Sequence, residues 1–183
     1  HGPKGVGALY VRKGVELEPL VHGGKQEAGL RAGTENVAAI VGMGKAADLA
    51  RAALGEAGRL RELRDDLERR IRALVPEARL NGPRDERLPN TLNLTLPGLR
   101  GESLVVALDR KGVSLSSGSA CKSGSPEPTH VLLAMGLSEE EAHCSIRLSL
   151  SAETTAEDIE RTAAALAEVL EEMETTVRFL PCK

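Results

Sequence analysis

The sequence is almost without aromatic residues: Trp is absent, and Tyr10 and Phe179 stand alone. A core made from it must be packed by aliphatic side chains, mainly Leu, Val and Ala. No apolar stretch approaches the ~20 residues needed to span a bilayer, and no signal-peptide pattern is present, so no membrane association is expected. A basic excess is also missing. The net charge of −3 argues against a nucleic-acid binder. Cysteine is scarce, with three residues widely spaced and odd in number, which excludes a disulfide framework and points to a reducing cytoplasm.

What is present is a globular composition, 41% apolar and 28% charged over 183 residues, enough for one domain or for one domain plus a piece of another. Residues 6–11 form a short apolar, partly β-branched run that predicts a buried strand. A glycine-rich polar loop follows over 22–34. A long helix is predicted over 37–74, weakened midway at Gly55 and Gly58 and stopped by Pro76, its second half carrying Leu60, Leu63, Leu67, Ile71 and Leu74 as an apolar stripe. The basic residues around Arg59–Arg64 and Arg69–Arg72 alternate with acids and read as a solvated helix face.

From residue 81 the pattern changes. Leu92, Leu94 and Leu96 alternate with Asn93 and Thr95, predicting a strand with one buried face. A helix over 102–111, a short strand over 113–115 and a Ser/Gly loop around Cys121 come next. Pro128 opens a short helix closed by Gly136, and Ser138 with Glu141 forms a capping box for a further helical turn. Ile146, Leu148 and Leu150 alternate in another strand. Thr155 and Asp158 introduce a last helix with Ile159, Ala163, Leu166, Leu170 and Met173 on one side. This order predicts a small α/β or α+β domain, helices against a sheet.

Three positions invite a chemical reading. Cys121 lies among Ser and Gly with Lys122 beside it, the setting of an accessible thiolate, although an incidental surface thiol has the same appearance. Arg147 projects from the polar face of a strand, where a guanidinium suits bidentate capture of a carboxylate; pairing with a neighbouring acid is the plainer alternative. The loop ending in Gly33-Thr34 offers N–H groups and a hydroxyl to a phosphate, without a Walker A pattern. Cys121, His130, His143 and Cys144 match no usual zinc spacing, so no metal is expected. Cys144 reads as a small core residue and Cys182 as a tail thiol.

Taken together, several segments resemble the cysteine desulfurases of the NifS/IscS type. They are His1-Gly-Pro-Lys-Gly-Val-Gly-Ala-Leu-Tyr-Val-Arg12, His22-Gly-Gly with Gln26-Glu27, Leu30-Arg-Ala-Gly-Thr-Glu-Asn-Val37, Leu88-Pro-Asn-Thr-Leu-Asn93, Ser116-Ser-Gly-Ser-Ala-Cys121 and Ser145-Ile-Arg-Leu-Ser149. The resemblance implies a pyridoxal 5'-phosphate enzyme of fold type I (class V aminotransferase family) and a homodimer. It implies the C-terminal portion of such an enzyme, with residues 1–36 the edge of the large cofactor-binding domain, 37–76 a connecting helix and 77–183 the small domain carrying the cysteine loop. It further implies conversion of L-cysteine to L-alanine, with the sulfur held on Cys121 as a persulfide and passed to an acceptor or scaffold protein for iron–sulfur cluster or thionucleoside synthesis. Arg147 matches the residue that binds the substrate carboxylate, and Thr34 the one that reaches the cofactor phosphate of the neighbouring subunit.

In the family the Schiff-base lysine lies just upstream of the segment matching His1; Lys4 is not that residue. The chain alone is therefore expected to be inactive and to need the N-terminal half of the enzyme. The alternatives are a selenocysteine lyase-like relative and a non-catalytic module that docks sulfur acceptors.

Overall fold

The computed structural model describes residues 2–117 and 128–179, with side chains as far as Met173. The chain divides into two compact units, His1–Gly55 and Glu56–Lys183.

The second unit is built on an antiparallel sheet of β1 (Arg79–Leu80), β2 (Thr91–Thr95), β3 (Ser116–Ser117) and β4 (Ser145–Ser149), in the order β1-β2-β4-β3. The alternation read from the sequence decides its faces. Leu92 and Leu94 of β2, with Ile146 and Leu148 of β4, point to one side and are buried; Leu94 pairs across the strands with Ile146 and Leu92 with Leu148.

Three helices cover that side: α2 (Ala57–Leu74), α3 (Gly101–Asp109) and α6 (Ala156–Phe179). Of the α2 stripe, Leu67 and Ile71 are buried, and Leu60 and Leu63 pack at the edge of the core. Leu104 and Leu108 come from α3, and Ile159, Leu166 and Val169 from α6. These close-packed aliphatics are the core that a sequence almost without aromatics requires. Two short helices, α4 (His130–Ala134) and α5 (Glu139–His143), precede β4.

Backbones approach closely where α3 starts. Gly101 is buried, and a Cβ there would stand 2.5 Å from the Ser145 carbonyl oxygen and 3.2 Å from that of His143.

The α2 charges are only partly a solvated face. Arg69, Arg70 and Arg72 make the expected ion pairs one turn away, to Asp66 and Glu68. Arg64 and Glu68, however, are buried. The loop over 81–90 lies on them: the Leu88 carbonyl accepts from Arg64 at 3.0 Å and Arg84 reaches Glu68 at 3.2 Å. Burial and the neighbouring Arg64 charge push the Arg87 guanidinium below its ordinary pKa.

Two helices carry reciprocal caps. The Ser138 hydroxyl accepts from the Glu141 N–H while the Glu141 carboxylate accepts from the Ser138 N–H, and Thr155 and Asp158 repeat the arrangement before α6. Glu141 is held below the usual carboxylate range by the Ser138 N–H, then its hydroxyl, then Arg79; Asp158 is held low by the Thr155 N–H and hydroxyl. A carboxylate whose folded pKa lies below its unfolded value stabilises fully above the unfolded value and loses that effect as pH falls through the folded one. Thermal unfolding followed from about pH 7 to about pH 3 should therefore show a progressive loss, smaller in a Ser138→Ala, Thr155→Ala double variant.

The first unit contains a 3-10 turn at Glu27–Gly29 and helix α1 (Val37–Ala52), capped by Asn36, whose Oδ1 accepts from the Ala39 N–H at 3.2 Å. Two sequence expectations are corrected here. Residues 6–11 do not form a buried strand: no described segment pairs with them, and Leu9 and Tyr10 are exposed. A strand exists only as part of a ladder, so β propensity without a partner gives an open segment. The single helix over 37–74 is two helices, interrupted by a 3-10 turn at Ala53–Glu56 that includes Gly55.

Candidate functional site

The sheet face opposite the core is polar. Ser145, Arg147 and Ser149 of β4 lie there, opposite Thr95, Asn93 and Thr91 of β2. Arg147 is exposed, and on its other side pairs with Ser116 of β3, whose hydroxyl its Nη2 approaches at 3.4 Å. Among the described residues no Asp or Glu forms an ion pair with it. The neighbouring-acid alternative thus finds no support there, and the guanidinium presents its donors outward from an inner strand of a four-stranded sheet.

Beside Arg147 runs a hydrogen-bond network that the sequence does not announce. The Asn81 side-chain amide donates to Asn93 Oδ1 at 2.7 Å and to Ser145 Oγ at 3.2 Å, while the Thr95 hydroxyl donates to Asn81 Oδ1 at 3.0 Å. Ser145 Oγ donates to the Glu141 carbonyl at 2.7 Å and lies 2.9 Å from Thr95 Oγ1. Thr95 and Ser145 are buried. The network joins the residue after β1, then β2, β4 and α5, on the side of the sheet that carries Arg147. The alternation of polar and apolar residues marks Asn93 as outward-facing, but only the strand register shows that it is Arg147's neighbour.

Cys121 lies outside the described residues, as do Lys122 and Cys182; along the chain Cys121 follows the end of β3, Ser117, by four residues. Cys144 is free and buried beside the core. Among the described residues no three His, Cys, Asp or Glu side chains are placed to hold a metal ion. No helix among them is long and apolar enough to cross a membrane.

Thr34 belongs to the first unit. It follows Gly33, whose φ of +108° suits glycine alone and whose N–H donates to Gln26 Oε1 at 3.2 Å. Gln26 is folded back over Gly24, where a Cβ would collide with its side-chain amide. The loop is thus shaped by its own side chain, and the Thr34 hydroxyl forms no hydrogen bond with the described residues. A free hydroxyl on a glycine-shaped loop fits one oxygen of a phosphate group.

The family model for aminotransferase class-V matches residues 1–162. The chain is 50% identical over 176 residues to the cysteine desulfurase IscS of Dictyoglomus turgidum, covering 96% of this chain and 45% of that one. Among solved structures, a NifS-like protein superposes with a TM-score of 0.82 at 39% identity, covering 93% of this chain and 44% of the other. SspA in complex with cysteine superposes at 0.53 with 36% identity, over 81% of this chain and 40% of the other. The chain thus spans a little under half the length of these relatives, and its mixed helix-and-sheet architecture is that of the NifS-like enzymes.

Proposed function

The chain belongs to the aminotransferase class-V family, and on that premise we propose that it is the C-terminal portion of a cysteine desulfurase. The whole enzyme would be a pyridoxal 5'-phosphate-dependent homodimer that converts L-cysteine to L-alanine and hands the sulfur to an acceptor or scaffold protein. The observation that carries this reading is the 50% identity, along 96% of the chain, to a protein named for that activity. The cysteine bound to the related SspA supports the choice of substrate.

Each unit contributes its own residues. Thr34 offers its free hydroxyl to the cofactor phosphate of the neighbouring subunit, and residues 1–36 are the edge of the large cofactor-binding domain. When bound, pyridoxal phosphate supplies the electron sink that makes the carbon–sulfur bond of the substrate breakable. Arg147, held on β4 without an acidic partner among the described residues, binds and orients the substrate carboxylate. The Cys121 thiolate takes the sulfur: a sulfur–sulfur bond forms as the carbon–sulfur bond breaks, the electron pair stays with carbon, and a proton completes alanine. The resulting persulfide is the form in which sulfur leaves the site.

The full-length enzyme supplied with pyridoxal phosphate, L-cysteine and a thiol reductant should release alanine and sulfide in equal amounts. Consumption of cysteine without alanine, or no consumption at all, would remove this assignment.

A further inference from the structure

We infer that Asn93 is a second recognition residue of the Arg147 site, its side-chain amide donating to the same carboxylate that the guanidinium binds. This rests on the assignment of Arg147 to the carboxylate of an amino-acid substrate.

The sheet places four residues in one row. The Asn81 N–H donates to the Asn93 carbonyl at 3.0 Å, Asn93 is the β2 partner of Arg147, and Ser116 is its β3 partner. Asn93 therefore sits between Asn81 on one side and Arg147 on the other. Its Oδ1 is engaged by the Asn81 amide at 2.7 Å. That amide also donates to Ser145 Oγ, whose own proton is given to the Glu141 carbonyl. A carbonyl can only accept, so the Ser145 oxygen is left as an acceptor, and the nitrogen of Asn81 is the group suited to face it. With its oxygen toward Asn81, Asn93 has its –NH2 on the side of Arg147. Among the described residues that –NH2 has no acceptor.

Two groups that only donate, the guanidinium and the amide –NH2, then stand next to each other on a rigid face with the Ser116 hydroxyl beyond. Side by side they cannot satisfy one another. An incoming carboxylate supplies four lone-pair sites and can satisfy both. The amide adds direction to what the charge provides. It also disfavours a neutral ligand, which would leave donors unpaired once water is excluded.

The test uses the full-length holoenzyme and two probes that each carry a thiol: 3-mercaptopropionate, which has the carboxylate and no amine, and cysteamine, which has the amine and no carboxylate. Asn93→Ala should raise KM for L-cysteine and weaken 3-mercaptopropionate inhibition by about tenfold, with cysteamine inhibition and kcat little changed. Asn93→Asp keeps the size and the acceptor for Asn81 while placing an anion against Arg147, and should weaken 3-mercaptopropionate by about a hundredfold.

Arg147→Ala separates the two levels of the reading. If it weakens 3-mercaptopropionate and neither Asn93 variant does, Asn93 is not a recognition residue and the assignment of Arg147 stands. Loss of both probes alike in Asn93→Asp would mark a structural role and overturn the inference. Should Arg147→Ala leave 3-mercaptopropionate unaffected, the carboxylate site itself is elsewhere.

Discussion

In the full-length enzyme, Cys121→Ser should cut the release of alanine and sulfide from L-cysteine by about a thousandfold or more, while the affinity for L-cysteine is retained. The expectation follows from the attacking atom. A cysteine thiol is partly thiolate at neutral pH and is a strong nucleophile toward sulfur, whereas an unactivated serine hydroxyl is scarcely ionised there. Serine is close to cysteine in size, so a packing explanation for the loss is weak. Mass spectrometry supplies the direct reading. After one turnover without reductant, the Cys121 peptide of the unaltered enzyme gains the mass of one sulfur atom, and the variant shows no such product. Cys144→Ser is the control, because Cys144 is buried beside the core and should carry no sulfur. A Cys121→Ser enzyme that still made alanine at the normal rate would show that sulfur leaves by another route.

The largest effect expected on stability comes from the smallest substitution. Glycine in a helix is ordinarily worse than alanine by about 1 kcal/mol, so propensity alone says that Gly101→Ala should help. The surroundings reverse the sign. The new Cβ would meet the backbone oxygen of Ser145 at 2.5 Å, and a backbone atom in a paired strand cannot swing aside as a flexible side chain would. Relief requires α3 to move away from β4, which opens the contact that Leu104 and Leu108 make with the core. The net cost should be about 3 kcal/mol, at the upper end of what overpacking usually produces, read as a lower midpoint in urea. Gly98→Ala is a useful comparison on the same connection. Nothing lies within 4 Å of its Cβ position, so any loss there reflects its φ of +77° and not a collision. If Gly101→Ala were neutral or stabilising, the close approach of α3 to β4 would be wrong.

How far the sequence predicts these features depends on where their cause lies. The spacing of Ile159, Ala163, Leu166, Leu170 and Met173 specifies α6 because a helical stripe is a local property. The same holds for the alternation in β2 and β4, and for the caps at Ser138 and Thr155, whose partners lie three residues away. Properties that depend on distant partners are not visible in this way. Residues 6–11 have the composition of a strand but no described neighbour to pair with. Arg64 has the surroundings of a surface residue in sequence, yet is buried because the loop over 81–90 covers it. At the site, the resemblance to the NifS/IscS type singled out Arg147, and the structure adds its neighbours. Asn93 and Ser116 are 54 and 31 positions away in sequence, and strand register alone makes them adjacent. The sulfur-carrying role proposed for Cys121 rests on its sequence context alone.

Among the described residues, the outer strands of the sheet, β1 and β3, are each two residues long. An exposed edge invites a foreign strand to continue the ladder, and the hazard grows with the length of unpaired backbone on offer. At β1 a visiting chain would find little backbone to register against. The polar face carrying Arg147 is thus set in a sheet whose β1 edge is both short and charged, since Arg79 stands exposed on it and pairs with Glu141, and both properties discourage templated aggregation.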